Sequence, residues 1–138
     1  MPAGYSGTPL LKKLGVKESM KVLLIAGPDD YFDLIETDIS SQFIKKNETP
    51  DLVHLFVKSE KEFFKEMHGL KKFCKTNPNI TIWVSWYKKN AKIPTDITEE
   101  TIRQYALSNG LVDVKVCAVS EIWSGLKLVV PVALRKKQ

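Results

Sequence analysis

The chain has 138 residues, of which 43% are hydrophobic and 27% are charged, and its formal net charge is +5 at pH 7. This length and composition predict one globular domain, residues 1–138, and exclude a second core. No apolar run is long enough to span a bilayer, and the N-terminus lacks the basic and apolar regions of a signal peptide. We therefore expect a cytoplasmic protein with no membrane partner.

The net positive charge is a weak indication of nucleic-acid binding because of the residues that carry it. Only Arg103 and Arg135 among the 21 cations are arginines, and bidentate recognition of bases and phosphates favours arginine. The charge is also segregated, since residues 28–57 hold seven acids and two lysines whereas residues 58–92 hold nine lysines and three glutamates. We expect one surface that attracts anions weakly and in a salt-dependent way.

The first predicted elements are an N-terminal arm with a short helix, residues 1–19, and a strand. Thr8 is the predicted cap of the helix and Gly15 its end. The following segment, residues 20–26, is short, apolar and rich in branched side chains. This pattern is typical of a strand buried on both faces, and we predict that it is the central strand of a parallel sheet.

The turn after this strand lies where an open α/β sheet binds its ligands, beyond the carboxyl ends of the strands. A loop that holds a phosphate needs glycines whose backbone N–H groups are free. Here Gly27 is followed by Pro28, which has no N–H, and by Asp29 and Asp30, which would repel an anion. We interpret the turn as the start of a helix, residues 29–36, and expect no nucleotide cofactor.

Residues 52–57 form a second apolar run, and the intervening segment is long enough for a crossover that makes this strand parallel to the first. His54 lies among its aliphatic residues. Since no catalytic partner is visible in the sequence, we predict a hydrogen-bonded core histidine.

The clearest predicted helix spans residues 60–75. Phe63, Met67, Leu70 and Cys74 recur on one face at helical spacing, and lysines occupy the opposite face. Cys74 and Cys117 have no C-x-x-C spacing, so both are expected to be buried free thiols. An apolar stripe opposite lysines is typical of a helix packed on a sheet.

The exit of the third predicted strand, residues 80–86, is the most informative place for function. Aromatic and basic side chains gather there, with Trp86, Lys88 and Lys89 followed by Thr95 and Asp96. Together they could stack a planar ligand and neutralise an anion. In the alternative interpretation, Asp96 or Thr98 caps the next helix, residues 99–109, and the lysines are solvated.

The last third predicts a hairpin of strands 112–119 and 126–130. If its first strand is parallel to the others, its turn brings Trp123 and Ser124 to the ligand edge. Trp123 could instead cap the core beneath the turn, the interpretation that we favour. The candidate ligand edge comprises Gly27, Asp29, Asp30, Trp86, Lys88, Lys89, Thr95, Asp96, Trp123 and Ser124. No catalytic residue and no metal ligand is predicted.

Several contiguous blocks of the chain resemble a family of short prokaryotic proteins whose domain has no known function. They are Gly4-Tyr5-Ser6-Gly7-Thr8-Pro9-Leu10, residues 86–98, residues 110–116, and Trp123-Ser124-Gly125-Leu126-Lys127. The resemblance implies no activity. The order of elements also resembles a class I methyltransferase without its second and third strands. Those strands help to hold adenosine in that superfamily, so the resemblance implies a scaffold that has lost much of its S-adenosylmethionine pocket.

The combined prediction is a Rossmann-like, three-layer α/β/α fold with a mostly parallel five-stranded sheet that ends in an antiparallel hairpin. The favoured function is a non-catalytic binding or interaction protein without a cofactor, whose partner is an anionic small molecule, another protein or a second copy. One alternative is a small enzyme or small-ligand binder at the carboxyl-end edge of the sheet, in which an enzyme would use Asp29, Lys88, Asp96, Trp123 and Ser124. Another, not favoured, is weak nucleic-acid binding through the lysines of residues 58–92.

Overall fold

The computed structural model describes residues 9–135, so the sequence block that begins at Gly4 and the predicted cap Thr8 lie outside the described residues. The elements in chain order are α1 (Leu10–Leu14), β1 (Val22–Ile25), α2 (Tyr31–Ile35), β2 (Leu52–Phe56), α3 (Glu60–Thr76), β3 (Thr81–Tyr87), α4 (Glu99–Ser108), β4 (Val112–Ala118), β5 (Trp123–Val129) and α5 (Val132–Arg135). Short 3-10 turns occur at Ser40–Gln42 and Lys89–Ala91. None of the described helices has the length and apolarity needed to cross a bilayer.

The strands form one five-stranded sheet in the order β1-β2-β3-β5-β4. Strands β1, β2 and β3 are parallel to one another, whereas β5 lies antiparallel between β3 and β4. The prediction of an α/β fold with a mostly parallel five-stranded sheet is confirmed. Strand β4 runs in the same direction as the first three, because β5 is antiparallel to both β3 and β4.

The predicted position of the first strand is wrong, since β1 is an edge strand of the sheet. Its outer edge is covered by the following segment, in which Phe43 forms a bridge with Val22 and the N–H of Ile44 donates to the Val22 carbonyl at 2.9 Å. Burial on both faces was predicted correctly for Val22 and Leu23, which are at most 3% exposed. Burial of the two faces does not specify the neighbours within the sheet.

Each face of the sheet carries its own apolar core. Residues such as Val53 and Leu55 of β2 belong to the core that contains the buried side chains of α3 and α4. The alternate residues Leu52 and Phe56 belong to the other core, with the buried side chains of α1 and α2. This alternation follows from the two-residue period of a strand, so every residue of β2 is buried.

Helix α1 is joined to the sheet by Trp83, whose side chain is completely buried. Its indole N–H donates to the Leu14 carbonyl at 2.8 Å, which satisfies one of the free carbonyl groups in the last turn of the helix. Gly15 ends the helix as predicted, with a left-handed φ of 80°. This contact anchors a helix of only five residues, which would be unstable alone.

Helix α3 confirms the predicted apolar stripe. Phe63, Met67 and Leu70 are buried against the sheet, and Ser59 caps the helix by accepting from the N–H of Glu62 at 3.2 Å. Cys74 lies on the same stripe but is only half-buried, as is Cys117 on β4. The expectation of fully buried thiols is therefore wrong for both, because each lies at the margin of its core.

Candidate functional site

An open pocket of about 990 Å³ lies at the carboxyl end of β3, between the segment that leaves the strand and the beginning of α4. Five predicted site residues line it: Trp86, Lys88, Lys89, Thr95 and Ser124. The prediction that Ser124 returns to the edge occupied by Trp86 is consistent with the register, which pairs these two residues across β3 and β5. The pocket is at the sheet edge where α/β folds bind ligands.

The segment between β3 and α4 is fastened to the beginning of α3. The hydroxyl of Thr95 donates to the Lys58 carbonyl at 2.7 Å, and the carboxylate of Asp96 accepts from the N–H of Glu60 at 2.8 Å. Asp96 does not line the pocket. Of the two residues predicted to cap α4, Thr98 is the one that does so, since its hydroxyl accepts from the N–H of Thr101 at 3.2 Å. Asp96 instead satisfies the first backbone N–H of a different helix, so its role is structural.

The two walls of the pocket differ in charge. One wall carries Lys88, Lys89 and Lys92, and none of these lysines forms an ion pair with a described residue. The other wall carries Glu99 and Glu100 together with Arg103. The lysines are therefore available to an incoming anion.

Arg103 binds the acids of the second wall. Its guanidinium contacts Glu99, donates to Glu100 at 3.1 Å and donates to Asp113 of β4 at 3.0 Å. These hydrogen bonds, with Glu99 first and Asp113 next, raise the pKa of Arg103. Hydrogen bonds from Gln104 and Arg103 lower the pKa of Glu100, which keeps this carboxylate ionised. The i,i+4 spacing of Glu99 and Arg103 was visible in the sequence, but the contact with Asp113 depends on the fold.

The aromatic residues of the edge are mostly buried. Trp86 is 7% exposed and lines the pocket, and its indole N–H donates to no described residue. Since no completely buried polar side-chain atom of the described residues lacks a partner, this N–H reaches the accessible surface. Trp123 is 5% exposed and stacks on Tyr87 with 4.3 Å between ring centroids, so it belongs to the core as favoured.

Gly27, Asp29 and Asp30 do not join this pocket. Helix α2 begins at Tyr31, two residues later than predicted, and the exposed Asp30 at its N-cap position makes no capping hydrogen bond. Both acids were predicted to lie in the first turn of this helix. Asp29 instead precedes the helix, and Asp30 occupies the N-cap position without a capping hydrogen bond. Strand β2 separates β1 from β3, which keeps this turn apart from the lysines.

The turn at Gly27 does not fit a phosphate either. A Cβ at this position would lie 2.6 Å from the Leu24 side chain, so the space beside the glycine is already filled. Pro28 offers no N–H, and Asp29 and Asp30 are exposed acids. The outer edge of β1, where the class I methyltransferase resemblance places the two missing strands, is covered here by Phe43 and Ile44. The residues at the Gly27 turn do not fit a phosphate.

A buried polar chain lies on the α2 side of the sheet, away from both pocket walls. The Tyr31 hydroxyl is 2.9 Å from Nδ1 of His54, and Nε2 of His54 is 2.7 Å from the Ser85 hydroxyl. Burial lowers the pKa of His54 to about 3 and raises the pKa of Tyr31. His54 and Ser85 are 0% exposed, so the prediction of a hydrogen-bonded core histidine is confirmed and no substrate can reach it in this conformation.

Comparison with solved structures finds several that share the Rossmann-like α/β fold of this chain. A SAM-dependent methyltransferase from Aquifex aeolicus matches 88% of this chain and 88% of its own length, with a TM-score of 0.59 and 15% identity. A protein in the NADB-Rossmann superfamily from Streptococcus agalactiae matches 92% of this chain and 70% of its own length, with a TM-score of 0.53 and 9% identity. An uncharacterised protein from Listeria monocytogenes serotype 4b matches 92% of this chain and 69% of its own length, with a TM-score of 0.54 and 8% identity.

At these identities the similarity shows the fold alone. No family model and no curated protein matches the chain. The resemblance of its sequence blocks to a family of unknown function therefore stays a prediction, whereas the Rossmann-like α/β fold is shown.

Proposed function

We propose that this protein is a non-catalytic binding protein and that the pocket at the carboxyl end of β3 holds an anionic ligand. The observation that carries the proposal is the group of unpaired lysines, Lys88, Lys89 and Lys92, on one wall of a 990 Å³ pocket. Arg103 offsets part of the charge of Glu99 and Glu100 on the facing wall, and the four cations of the described lining outnumber its two carboxylates. An anion that enters therefore meets a net positive field in a partly desolvated cleft.

Directional hydrogen-bond donors complement this charge. Trp86 and Ser124 pair across β3 and β5, and both residues line the pocket. Each carries a donor, the accessible indole N–H of Trp86 and the hydroxyl of Ser124. Because both strands are central in the sheet, these donors are held rigidly. A few fixed polar groups in a largely preformed pocket are typical of small-ligand sites. The ligand class that fits is a small polyanion, such as a polycarboxylate or a phosphate ester.

Two observations support a role without catalysis. The described lining of the pocket contains no histidine or cysteine, and both of its carboxylates, Glu99 and Glu100, pair with Arg103. The lowered pKa of Glu100 makes it a poor general acid. The buried chain of Tyr31, His54 and Ser85 is closed to solvent at His54 and Ser85, so it offers no reachable nucleophile and base for nucleophilic catalysis.

Nucleic-acid binding receives less support from the geometry. Single-stranded nucleic acids bind through aromatic rings that offer an exposed face to the bases. Trp86 is buried, and Tyr87 is half-buried against Trp123. The two predicted stacking residues therefore offer little ring surface. Phe64 on α3 is 42% exposed among the lysines, but its ring packs against Tyr105.

The proposal is tested by thermal unfolding with a panel of citrate, pyrophosphate, nucleoside monophosphates and S-adenosylmethionine. We expect at least one polyanion to raise Tm in a concentration-dependent manner, and high salt to reduce the effect. The triple substitution Lys88→Gln, Lys89→Gln, Lys92→Gln should lower the affinity by about tenfold or more, since each exposed ion pair contributes roughly 0.2–1 kcal/mol.

The matched control is Lys45→Gln, Lys61→Gln, Lys65→Gln, which removes the same charge from exposed lysines outside the pocket. It should bind as the unmodified protein does. The absence of any response to the anions, or an equal loss in both variants, would contradict the proposal. Turnover of S-adenosylmethionine would contradict the non-catalytic role.

A further inference from the structure

A second cavity lies at the opposite end of the sheet, on the face covered by α3 and α4. Its volume is about 430 Å³, and Leu111, just before β4, and Val130, just after β5, are among its walls. Both positions are at the amino ends of the parallel strands, since β5 runs antiparallel to them. The pocket at the carboxyl end of β3 that contains Lys88, Lys89 and Lys92 is called the lysine pocket below. The cavity is separate from it, since the described linings of the two have no residue in common.

The walls of this cavity are apolar and its mouth is incompletely covered. Met67, Leu70 and Ile82 at its base are at most 2% exposed. Cys74 is half-buried at the mouth, and Leu134 of α5 is 42% exposed there. The volume of the cavity is within the ~300–1,000 Å³ range of ligand sites.

The charged side chains among the described lining residues are two lysines at the rim. Lys71 and Lys75 line the cavity four residues apart on α3, and both are exposed without an ion pair to a described residue. Residues at this spacing lie on the same face of a helix, one turn apart. None of the lining residues that the structure describes is acidic. An apolar interior with a cationic rim complements a ligand with an apolar tail and one anionic end.

We propose that this cavity binds a single-chain amphipathic carboxylate, a fatty acid of medium chain length. The acyl chain lies against Met67, Leu70 and Ile82, and the carboxylate lies between Lys71 and Lys75. Binding covers Leu134 and the thiol of Cys74, which removes apolar surface from water. This site does not depend on the function proposed for the lysine pocket.

The first test uses the two cysteines as internal reporters. Cys74 lines the cavity, whereas Cys117 is also half-buried but lies on β4 outside it. Alkylation of the native protein by iodoacetamide is followed by mass spectrometry, with and without decanoate below its micelle concentration. Decanoate should slow modification of Cys74 at least fivefold and leave Cys117 unchanged. Equal rates at Cys74 with and without decanoate, or equal protection of both cysteines, would overturn the proposal.

The second test is calorimetric titration with hexanoate, octanoate and decanoate. Affinity should rise about fourfold per methylene group, because each buried methylene contributes about 0.8 kcal/mol. Lys71→Gln with Lys75→Gln should weaken decanoate binding about fivefold, whereas the matched pair Lys61→Gln with Lys65→Gln on α3 should not. Cys74→Phe, which places a larger side chain at the mouth of the cavity, should weaken binding. Tighter binding of decyltrimethylammonium than of decanoate, or no dependence on chain length, would overturn the proposal.

Discussion

Acidification from pH 7 to pH 4 is expected to reduce the free energy of unfolding by roughly 3 kcal/mol through His54 alone. Burial lowers the pKa of this side chain to about 3 in the folded protein, against an ordinary value of 6.5. Between these values the unfolded chain binds a proton that the folded protein excludes, so stability is complete above pH 6.5 and decreases as the pH falls. The slope is about 1.4 kcal/mol per pH unit.

Urea unfolding at several pH values between 7 and 4 measures this effect. The control is His54→Gln, which removes the titrating group but keeps an amide that faces Tyr31 and Ser85. This variant should be less stable at pH 7. Its free energy of unfolding should also depend less steeply on pH, because about one proton fewer is taken up on unfolding. Carboxylates titrate equally in both proteins. Parallel pH profiles for the two proteins would show that His54 does not cause the acid sensitivity.

The substitution Trp83→Ala is expected to lower the free energy of unfolding by about 3–5 kcal/mol. The side chain is 0% exposed and fills the core between the sheet and α1. Trp83→Phe should cost about 1–3 kcal/mol, because it keeps an aromatic ring but leaves the Leu14 carbonyl without its donor. Hydrogen exchange should then show faster opening of α1 than of β2.

Trp123→Phe is the matched control for this second effect. Trp123 is buried in the same core, but its indole N–H makes no hydrogen bond with a described residue. The substitution should lower stability through packing alone and should not selectively release α1. Equal exchange of α1 in the two variants would contradict a specific role for the bond between Trp83 and Leu14.

The sheet could be predicted well because its strands are short apolar runs separated by polar turns. The position of β1 could not, since the cover provided by Phe43 and Ile44 comes from a polar stretch without strand periodicity. The length of α2 was overestimated because Asp29 and Asp30 satisfy the local rules for a helix start, yet the chain enters the helix only at Tyr31. Tertiary context overrides such local preferences.

The candidate pocket could be predicted in part. Trp86, Lys88 and Lys89 follow one strand, and the rule that ligand sites gather at the carboxyl edge identified them. The same rule included Asp96, whose partner is the N–H of Glu60, 36 residues away in sequence. Local spacing contains no information about such a contact. For the same reason the hydrogen-bond partners of His54 were not predicted, although its burial was.

The fastening of Thr95 and Asp96 to the start of α3 affects how a guest would enter the lysine pocket. Because the rim of the pocket is held at two consecutive residues, its backbone has little conformational entropy to lose when a ligand binds. Binding should therefore require almost no ordering of the backbone. Capture should then be limited by diffusion and by electrostatic attraction, without a slow gating step. Removing the Asp96 tether should slow entry of the ligand or weaken its retention even though Asp96 does not line the pocket.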